Sequence, residues 1–147
     1  MALTVEAVAA DDTYELRHRV LGRGRTPADI AAADDAEPDS AHFAVRIDGA
    51  VVATGTVRRR RSPHGGAGAQ WQVRGMAVEP ELRSRGLGSA ILARIIGHVE
   101  ERGGGVTWCH VRIAARSLYQ RHGFVPEGEP FDDAVAGTQV FMSRPVP

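Results

Sequence analysis

The sequence predicts one α+β domain over residues 1–147, with helices packed on a mixed sheet. Three observations predict it. The chain of 147 residues is long enough to bury a core of its own. A two-residue hairpin signal stands at Asp48-Gly49, and an apolar stripe with helical spacing follows at 87–99. No internal repeat or linker divides the chain, so we expect these elements to share one core.

The first part of the chain predicts a strand, a helix and a long loop. Leu3–Val8 alternates weakly, as in a strand. The segment that follows has helical spacing, and the pair Asp11-Asp12 is expected to supply its N-cap. Residues 22–40 are expected to form a loop with a short helix, which Thr26 would cap with Pro27 in its first turn.

After the hairpin the pattern alternates between strands and helices. Leu87, Ile91, Ile95 and Val99 recur every four residues, which indicates a helix packed on a sheet. Gly123 is the expected C′ residue of the later helix. The predicted elements are a strand over 71–78, a helix over 86–102, a strand over 106–111, a helix over 114–122, and two strands around Phe131 and 138–143.

Composition argues against several classes of function. The formal net charge is zero, which gives no support to a general nucleic-acid or membrane role. The single cysteine, Cys109, excludes an internal disulfide and fits a reducing compartment. No apolar run approaches the roughly 18 residues of a membrane helix, and the N-terminus lacks the basic flank of a signal peptide. We therefore expect a cytoplasmic protein.

Histidine spacing predicts no metal site, because His42, His98 and His122 have no ligand spacing with cysteine or carboxylates. Cys109 is expected to be a small buried hydrophobe within its strand. The run Arg58–Arg61 begins in a strand, where side chains alternate between faces, so a continuous basic patch is not expected.

The segment "LRSRGLGS", residues 82–89, joins a predicted strand to the long helix. A helix N-terminus carries N–H groups without intrahelical partners and a partial positive charge. Glycines there let an anion approach the backbone, and arginines add forked donors suited to phosphate. The spacing is neither that of a nucleotide P-loop nor that of the dinucleotide fingerprint. A plain tight turn is the alternative.

This turn, after a strand ending Met76-Ala77-Val78, resembles the acetyl-CoA motif of the GNAT superfamily of N-acetyltransferases, in the form Arg83-x-x-Gly86-x-Gly88. The resemblance implies that Met76, Ala77 and Val78 lie along the pantetheine arm. It also implies a pyrophosphate cradle made by Arg83, Ser84, Arg85, Gly86, Leu87, Gly88 and Ser89.

The segment "ARSLYQRHGF", residues 115–124, resembles the later helix of the same family. Tyr119 matches the tyrosine beside the thioester sulfur, and Gly123-Phe124 matches the closing pair. Both motifs stand in family order, and the resemblance covers roughly residues 43–143. It implies a three-layer α/β/α fold with a central mixed, mostly antiparallel sheet of about seven strands, splayed between strands 4 and 5.

The resemblance implies transfer of an acetyl group from acetyl-CoA directly to a primary amine of a small molecule or peptide. Tyr119 is the candidate that shares its proton with the departing sulfur. Some relatives carry a carboxylate base on the strand before the turn, but this strand offers Gln70, Gln72 and Arg74, which cannot act as bases at neutral pH. Glu79 is expected to be solvated. His110 is a candidate proton relay, and ordered water is an equal alternative.

Two other functions stay open at this level. The same fold without a working amine site would be a non-catalytic acyl-CoA sensor. An arginine-rich nucleic-acid-binding domain is less favoured, because no aromatic platform accompanies Arg58–Arg61. No nucleic acid and no membrane are expected as partners, and a homodimer through the sheet stays open. Arg17, Arg19 and Arg74 are candidates to bind an acceptor carboxylate, and the acceptor surfaces are expected at 22–40 and 62–69.

Overall fold

The computed structural model of the protein describes residues 3–22, 37–134 and 136–147. Its strands are β1 Val5–Val8, β2 Ala41–Ile47, β3 Ala50–Arg59, β4 Gln70–Val78, β5 Gly105–Arg112, β6 Val125–Asp133 and β7 Gly137–Val146. The helices of this described part are α1 Asp11–Leu21, α2 Leu87–Glu101 and α3 Arg116–Arg121. The predicted cap Thr26 and Pro27 lie outside the described residues. No described helix has the length and apolar character needed to cross a bilayer.

The seven strands form one mixed sheet in the order β1-β2-β3-β4-β5-β7-β6. Among these strands β4 and β5 form the parallel pair, and every other neighbouring pair is antiparallel. The predicted hairpin turn is confirmed, because Ile47 pairs with Ala50 across Asp48 and Gly49. Both turn residues have positive φ, 52° and 82°, which a two-residue hairpin turn of this hand requires. The predicted α+β class with a mixed sheet is confirmed.

One face of the sheet is apolar and is covered by α2. The predicted stripe is confirmed, since Ile91, Ile95 and Val99 are all 0% exposed. Gly55 of β3 lies directly beneath α2, and a Cβ there would come within 2.5 Å of Ile91 Cγ2 and 2.6 Å of the Met76 Sδ. Lack of a side chain at Gly55 therefore lets α2 pack closely on the sheet.

The opposite face, which α1 covers, is polar. Thr54 and Thr56 are completely buried there, and the Thr54 hydroxyl donates to the Gly75 carbonyl at 2.9 Å. The Arg58 Nε donates to the Gln72 Oε1 at 2.8 Å. Because side chains alternate along a strand, these residues share the face beneath α1. Burial of this face therefore depends on hydrogen bonds and not on apolar contact alone.

A β-bulge bends β4 at the centre of the sheet. Gly75 and Met76 of β4 both face Gly55 of β3, where the register shifts, and Gly75 has φ +64°. A glycine in the left-handed region at the first bulge position is a standard bulge geometry. Beyond the pair Gln72–Trp108, β4 and β5 have no further register pairs. The predicted splay between strands 4 and 5 is confirmed, and the bulge explains why β4 turns away there.

Three local expectations differ from the structure. The N-cap of α1 is Ala10, and Asp11 and Asp12 lie in its first turn, where their negative charges still favour the helix N-terminus. The helix predicted over 114–122 is shorter and follows a single 3-10 turn. The first strand begins two residues later than predicted. Such shifts are expected where local propensity alone sets the end of an element.

Candidate active site

A cavity of about 740 Å³ lies where β4 and β5 part. Its lining divides by element into two ends. The turn end comprises the end of β4, the strand-to-helix turn and the region of α3: Met76, Ala77, Val78, Leu82, Arg83, Ser84, Gly86, Leu87, Gly88, Ser89, Ala114, Ala115, Ser117, Leu118, Tyr119 and Arg121. The α1 end includes Arg17 of α1 and six residues of β4 to β7: Gln72, Arg74, His110, Arg112, Asp133 and Gln139.

The turn end has an exposed helix N-terminus. Gly86 caps α2 with φ +86°, and a Cβ there would meet nothing within 4 Å. The Gly86 carbonyl accepts the first helical hydrogen bond, from the Ala90 N–H at 3.0 Å. The preceding N–H groups, those of Leu87 to Ser89, have no partner within the helix. Ser84 also has positive φ, 64°, which is uncommon for a residue with a side chain. The space and donors at this turn fit a phosphate group.

Gly88 and Ser89 tie this turn to α3. A Cβ on Gly88 would lie 3.3 Å from Leu118 Cδ2, so the missing side chain allows α2 and α3 to approach closely. The Ser89 Oγ lies 2.7 Å from the His122 Nε2. Desolvation lowers the pKa of His122, and nearby arginines lower it further. The two motifs recognised in the sequence, 82–89 and 115–124, therefore meet in space.

The last residue of β4 presents its backbone to the gap. The Glu79 N–H donates to the Val52 carbonyl at 2.8 Å. Because bonded and non-bonded pairs alternate in an antiparallel ladder, the adjacent pair Ala53–Val78 is non-bonded. The N–H and carbonyl of Val78 therefore point away from β3 and towards β5. This orientation supplies a donor and an acceptor in the gap for an extended amide-bearing ligand.

Tyr119 lies at the inner wall of the cavity. It is 3% exposed and packs edge-on against Phe124, with ring centroids 5.5 Å apart. The Cys109 thiol donates towards the Tyr119 hydroxyl oxygen, at a distance of 3.7 Å. Burial raises the pKa of Tyr119 well above its usual range. The phenol is therefore protonated at neutral pH and can donate a hydrogen bond into the cavity.

Cys109 is a buried thiol, as the sequence predicts for this strand. Burial raises its pKa to about 12. A thiol with this pKa holds almost no thiolate at neutral pH, and the thiolate is the nucleophilic form. Cys109 therefore has the properties of a packing residue beside Tyr119.

His110 lies at the α1 end, within an aromatic group. Its ring centroid is 5.5 Å from Trp108, 5.4 Å from Phe131 and 5.8 Å from Phe141. Desolvation lowers the pKa of His110, the nearby charge of His64 lowers it further, and the charge of Asp133 acts in the opposite direction. His110 is therefore a neutral imidazole at pH 7, with a nitrogen able to accept a proton.

Glu79 is half-buried and therefore partly solvated. Its carboxylate forms an ion pair with Arg19 of α1, and its side chain is 19% exposed. The pairing arises because α1 crosses the sheet near the end of β4. Arg19 also pairs with Glu15 at 2.9 Å. Neither Glu79 nor Arg19 lines the described cavity.

The other arginines named in the sequence analysis differ in whether they line the cavity. Arg17 and Arg74 line the cavity, whereas Arg85 is exposed outside the described lining. In the arginine run, Arg58 is bonded to Gln72, and Arg59 pairs with Asp39 at 2.9 Å. These separate contacts break up a continuous basic patch. Within the described ranges, no three His, Cys, Asp or Glu side chains come together as metal ligands would.

Sequence reasoning missed Arg112, Asp133 and Gln139 in the cavity wall. No local signal marks them, because they lie on strands that meet only through the sheet. The bulge at Gly75 was also missed, although an isolated glycine in a strand pattern is a recognised signal for one.

Comparison with known proteins assigns the family. The sequence model of the Acetyltransferase (GNAT) family matches residues 10–124. The chain is 27% identical over 142 residues to the uncharacterized N-acetyltransferase YitI of Bacillus subtilis (strain 168), covering 97% of this chain and 95% of that protein.

Solved structures share the fold. A GNAT superfamily phosphinothricin acetyltransferase from Sinorhizobium meliloti, in complex with AcCoA, has a TM-score of 0.77 at 19% identity, covering 99% of this chain and 89% of that chain. The ribosomal-protein-S18-alanine N-acetyltransferase from Escherichia coli has a TM-score of 0.73 at 21% identity, covering 99% and 94%. Since the family match spans most of the sequence and includes both motifs of the cavity, the chain belongs to the GNAT family of acetyltransferases and is an acyltransferase.

Proposed function

We propose that the protein transfers an acetyl group from acetyl-CoA directly to a primary amine of a small molecule or peptide. One observation carries the proposal: a single cavity joins the glycine-containing turn to Tyr119 and His110 through the gap between β4 and β5. Acetyl-CoA as the acetyl donor is further supported by the AcCoA complex of the Sinorhizobium meliloti relative.

In this proposal the turn end holds acetyl-CoA. The diphosphate accepts hydrogen bonds from the backbone N–H groups of Leu87 to Ser89, with Arg83 at the rim adding a positive charge. The pantetheine arm runs along Met76 to Val78, whose final residue presents its backbone to the gap. Arg85 acts from outside the cavity wall, so we expect it to contribute less than Arg83.

The acyl transfer then needs a neutral amine. A primary alkyl amine has a pKa of about 10, so its deprotonation at pH 7 costs roughly 4 kcal/mol. The amine nitrogen forms a bond to the thioester carbonyl carbon, the C–S bond breaks, and its electron pair leaves with the sulfur. The Val78 N–H stabilises the developing oxyanion, and the Tyr119 hydroxyl donates a hydrogen bond to the departing sulfur. His110, neutral at pH 7, accepts the amine proton directly or through water.

Thiol release from acetyl-CoA tests the proposal. The purified protein is titrated with acetyl-CoA by calorimetry and then assayed against a panel of amines, with mass spectrometry of the products. We expect binding, and one acetylated amine for each CoA thiol released. Binding without release on any amine would instead establish a non-catalytic acyl-CoA sensor. Absence of binding would refute the assignment of the turn end to acetyl-CoA.

A further inference from the structure

The arginines at the α1 end of the cavity indicate which class of amine the protein accepts. This inference rests on the proposed acetyl transfer. Three arginines, Arg17, Arg74 and Arg112, line this end together with Asp133. Arg17 and Arg74 lie on the face of the sheet that α1 covers. Alternation along β5 places Arg112 on the same face as His110. The described lining of this end therefore holds three arginines and one aspartate beside the proposed proton acceptor.

Arg17 is set into this wall by its surroundings. It is 1% exposed, its Nη1 donates to the Thr13 hydroxyl at 3.1 Å, and its guanidinium lies 5.2 Å from the centre of the Tyr14 ring. A Cβ on Gly75 would come within 2.9 Å of the Arg17 Nε. The glycine of the bulge therefore makes the space that the guanidinium occupies.

We propose that the acceptor is a small amine that also carries a carboxylate, and that Arg17 and Arg74 hold this carboxylate at the α1 end. A guanidinium has five N–H donors in a planar fork. An arginine that already has a partner, as Arg17 has Thr13, can therefore also bind a carboxylate. Arginine pairs with carboxylates through two parallel hydrogen bonds, which fix orientation as well as position.

The positive charge of these arginines also favours deprotonation of the acceptor amine. Nearby positive charge disfavours the ammonium form of an amine and so lowers the cost of producing the neutral nucleophile. The same charges disfavour polyamines and lysine-rich peptides, because they repel additional cations.

Matched substrates test the proposal without changing the protein. Each standard amino acid is assayed beside its own carboxamide, at saturating acetyl-CoA and pH 7.5. The carboxamide has the less basic amine, so amine reactivity alone predicts faster acetylation of the carboxamide. We expect the reverse, with kcat/KM at least about tenfold higher for the free carboxylate of the accepted amino acids.

Two variants then locate the effect. Arg74→Met should raise KM for the carboxylate acceptor about tenfold, leave KM for its carboxamide unchanged and leave acetyl-CoA affinity within about twofold. Arg46→Met is the matched control, because Arg46 pairs with Glu6 at the far side of the sheet. It should change none of these quantities.

Equal or better acetylation of the carboxamides, or preference for polyamines, would overturn this inference and leave the proposed acetyl transfer standing. Absence of transfer to every amine tested, polyamines included, would overturn both. The substrate comparison stays decisive even if Arg74→Met fails to fold.

Discussion

At the turn end of the cavity, consecutive residues 82–89 supply the helix N-terminus, both glycines and an arginine. At the α1 end, the wall is assembled from Arg17, Arg74, His110 and Arg112, which are far apart in sequence and come from three elements. The first end is a local structure that other chains can reuse as a unit. The second end depends on how α1, β4 and β5 pack, so a single substitution there can change the acceptor without affecting the turn. The difference suggests that the two halves of the reaction can be disrupted separately.

The largest expected effect is at the turn end. Gly86→Glu should weaken acetyl-CoA binding about 100-fold or more, because two like charges about 4 Å apart near a protein surface repel by roughly 4 kcal/mol. Gly86→Ala has the same backbone strain at φ +86°, about 1–2 kcal/mol, without the charge. It should retain much of the affinity. Calorimetry on both folded variants measures the difference, and similar affinities for Glu and Ala would show that no anion binds here.

Tyr119→Phe should lower kcat about 10- to 100-fold, because the departing sulfur loses its hydrogen-bond donor. Acetyl-CoA affinity should stay within about twofold, since the ring and its packing on Phe124 are kept. Arg46→Met is again the control, because Arg46 pairs with Glu6 at the far side of the sheet and does not line the described cavity. Steady-state kinetics and calorimetry measure both quantities. An unchanged kcat in Tyr119→Phe would remove this residue from the mechanism.

A substitution in the bulge should affect the α1 end alone. Gly75→Ala places a Cβ 2.9 Å from the Arg17 Nε at φ +64°, so the guanidinium must move. We expect acceptor KM to rise about tenfold, equivalent to roughly 1.4 kcal/mol, with acetyl-CoA affinity unchanged. If acetyl-CoA affinity falls as much as acceptor affinity, the two ends are not separable.

Gly97→Ala is the control for a glycine-to-alanine change away from the site. Its Cβ would meet nothing within 4 Å on α2, so the helix should gain about 0.5–1 kcal/mol of stability. Thermal unfolding measures this gain, and the kinetic constants should not change.

The smallest expected effect is a pH shift at the α1 end. The pKa of His110 is lowered from 6.5, so His110 is neutral above that pKa and becomes charged only as pH falls below its ordinary range. As a proton acceptor it should give kcat/KM that rises with pH through this lowered pKa and is level at pH 7. His110→Gln should remove this rise.

His64→Gln refines the same test. The charge of His64 lowers the pKa of His110, so its removal should move the acidic limb of kcat/KM to higher pH. The expected shift is small because desolvation is the larger cause. His122→Gln, at the other end of the cavity, should leave the limb in place, and a limb that follows His122 would exclude His110 as the acceptor of the proton.

Local patterns predicted the features that depend on neighbours in sequence. The apolar stripe from Leu87 to Val99 predicted α2, and Asp48-Gly49 predicted the hairpin turn between β2 and β3. Both signals are local, because hydrophobic periodicity and turn chemistry depend on neighbouring residues. The turn at 82–89 was identified for the same reason, and the resemblance placed Tyr119 opposite it. The ion pair of Glu79 was not predicted, because its partner Arg19 lies sixty positions earlier in the chain and a local pattern carries no information about that contact.

The sequence by itself determined the strand-to-helix turn, the buried stripe of α2, the hairpin and the family. Each of these depends on residues that are close together along the chain. Only the tertiary structure decided that Arg17, Arg74 and Arg112 share one wall with His110, and that a bulge at Gly75 opens the gap between β4 and β5. The physical reason is that sheet register and helix docking bring distant residues together. The bulge shifts β4 by one residue against β3, and the face that each side chain occupies beyond it depends on that shift.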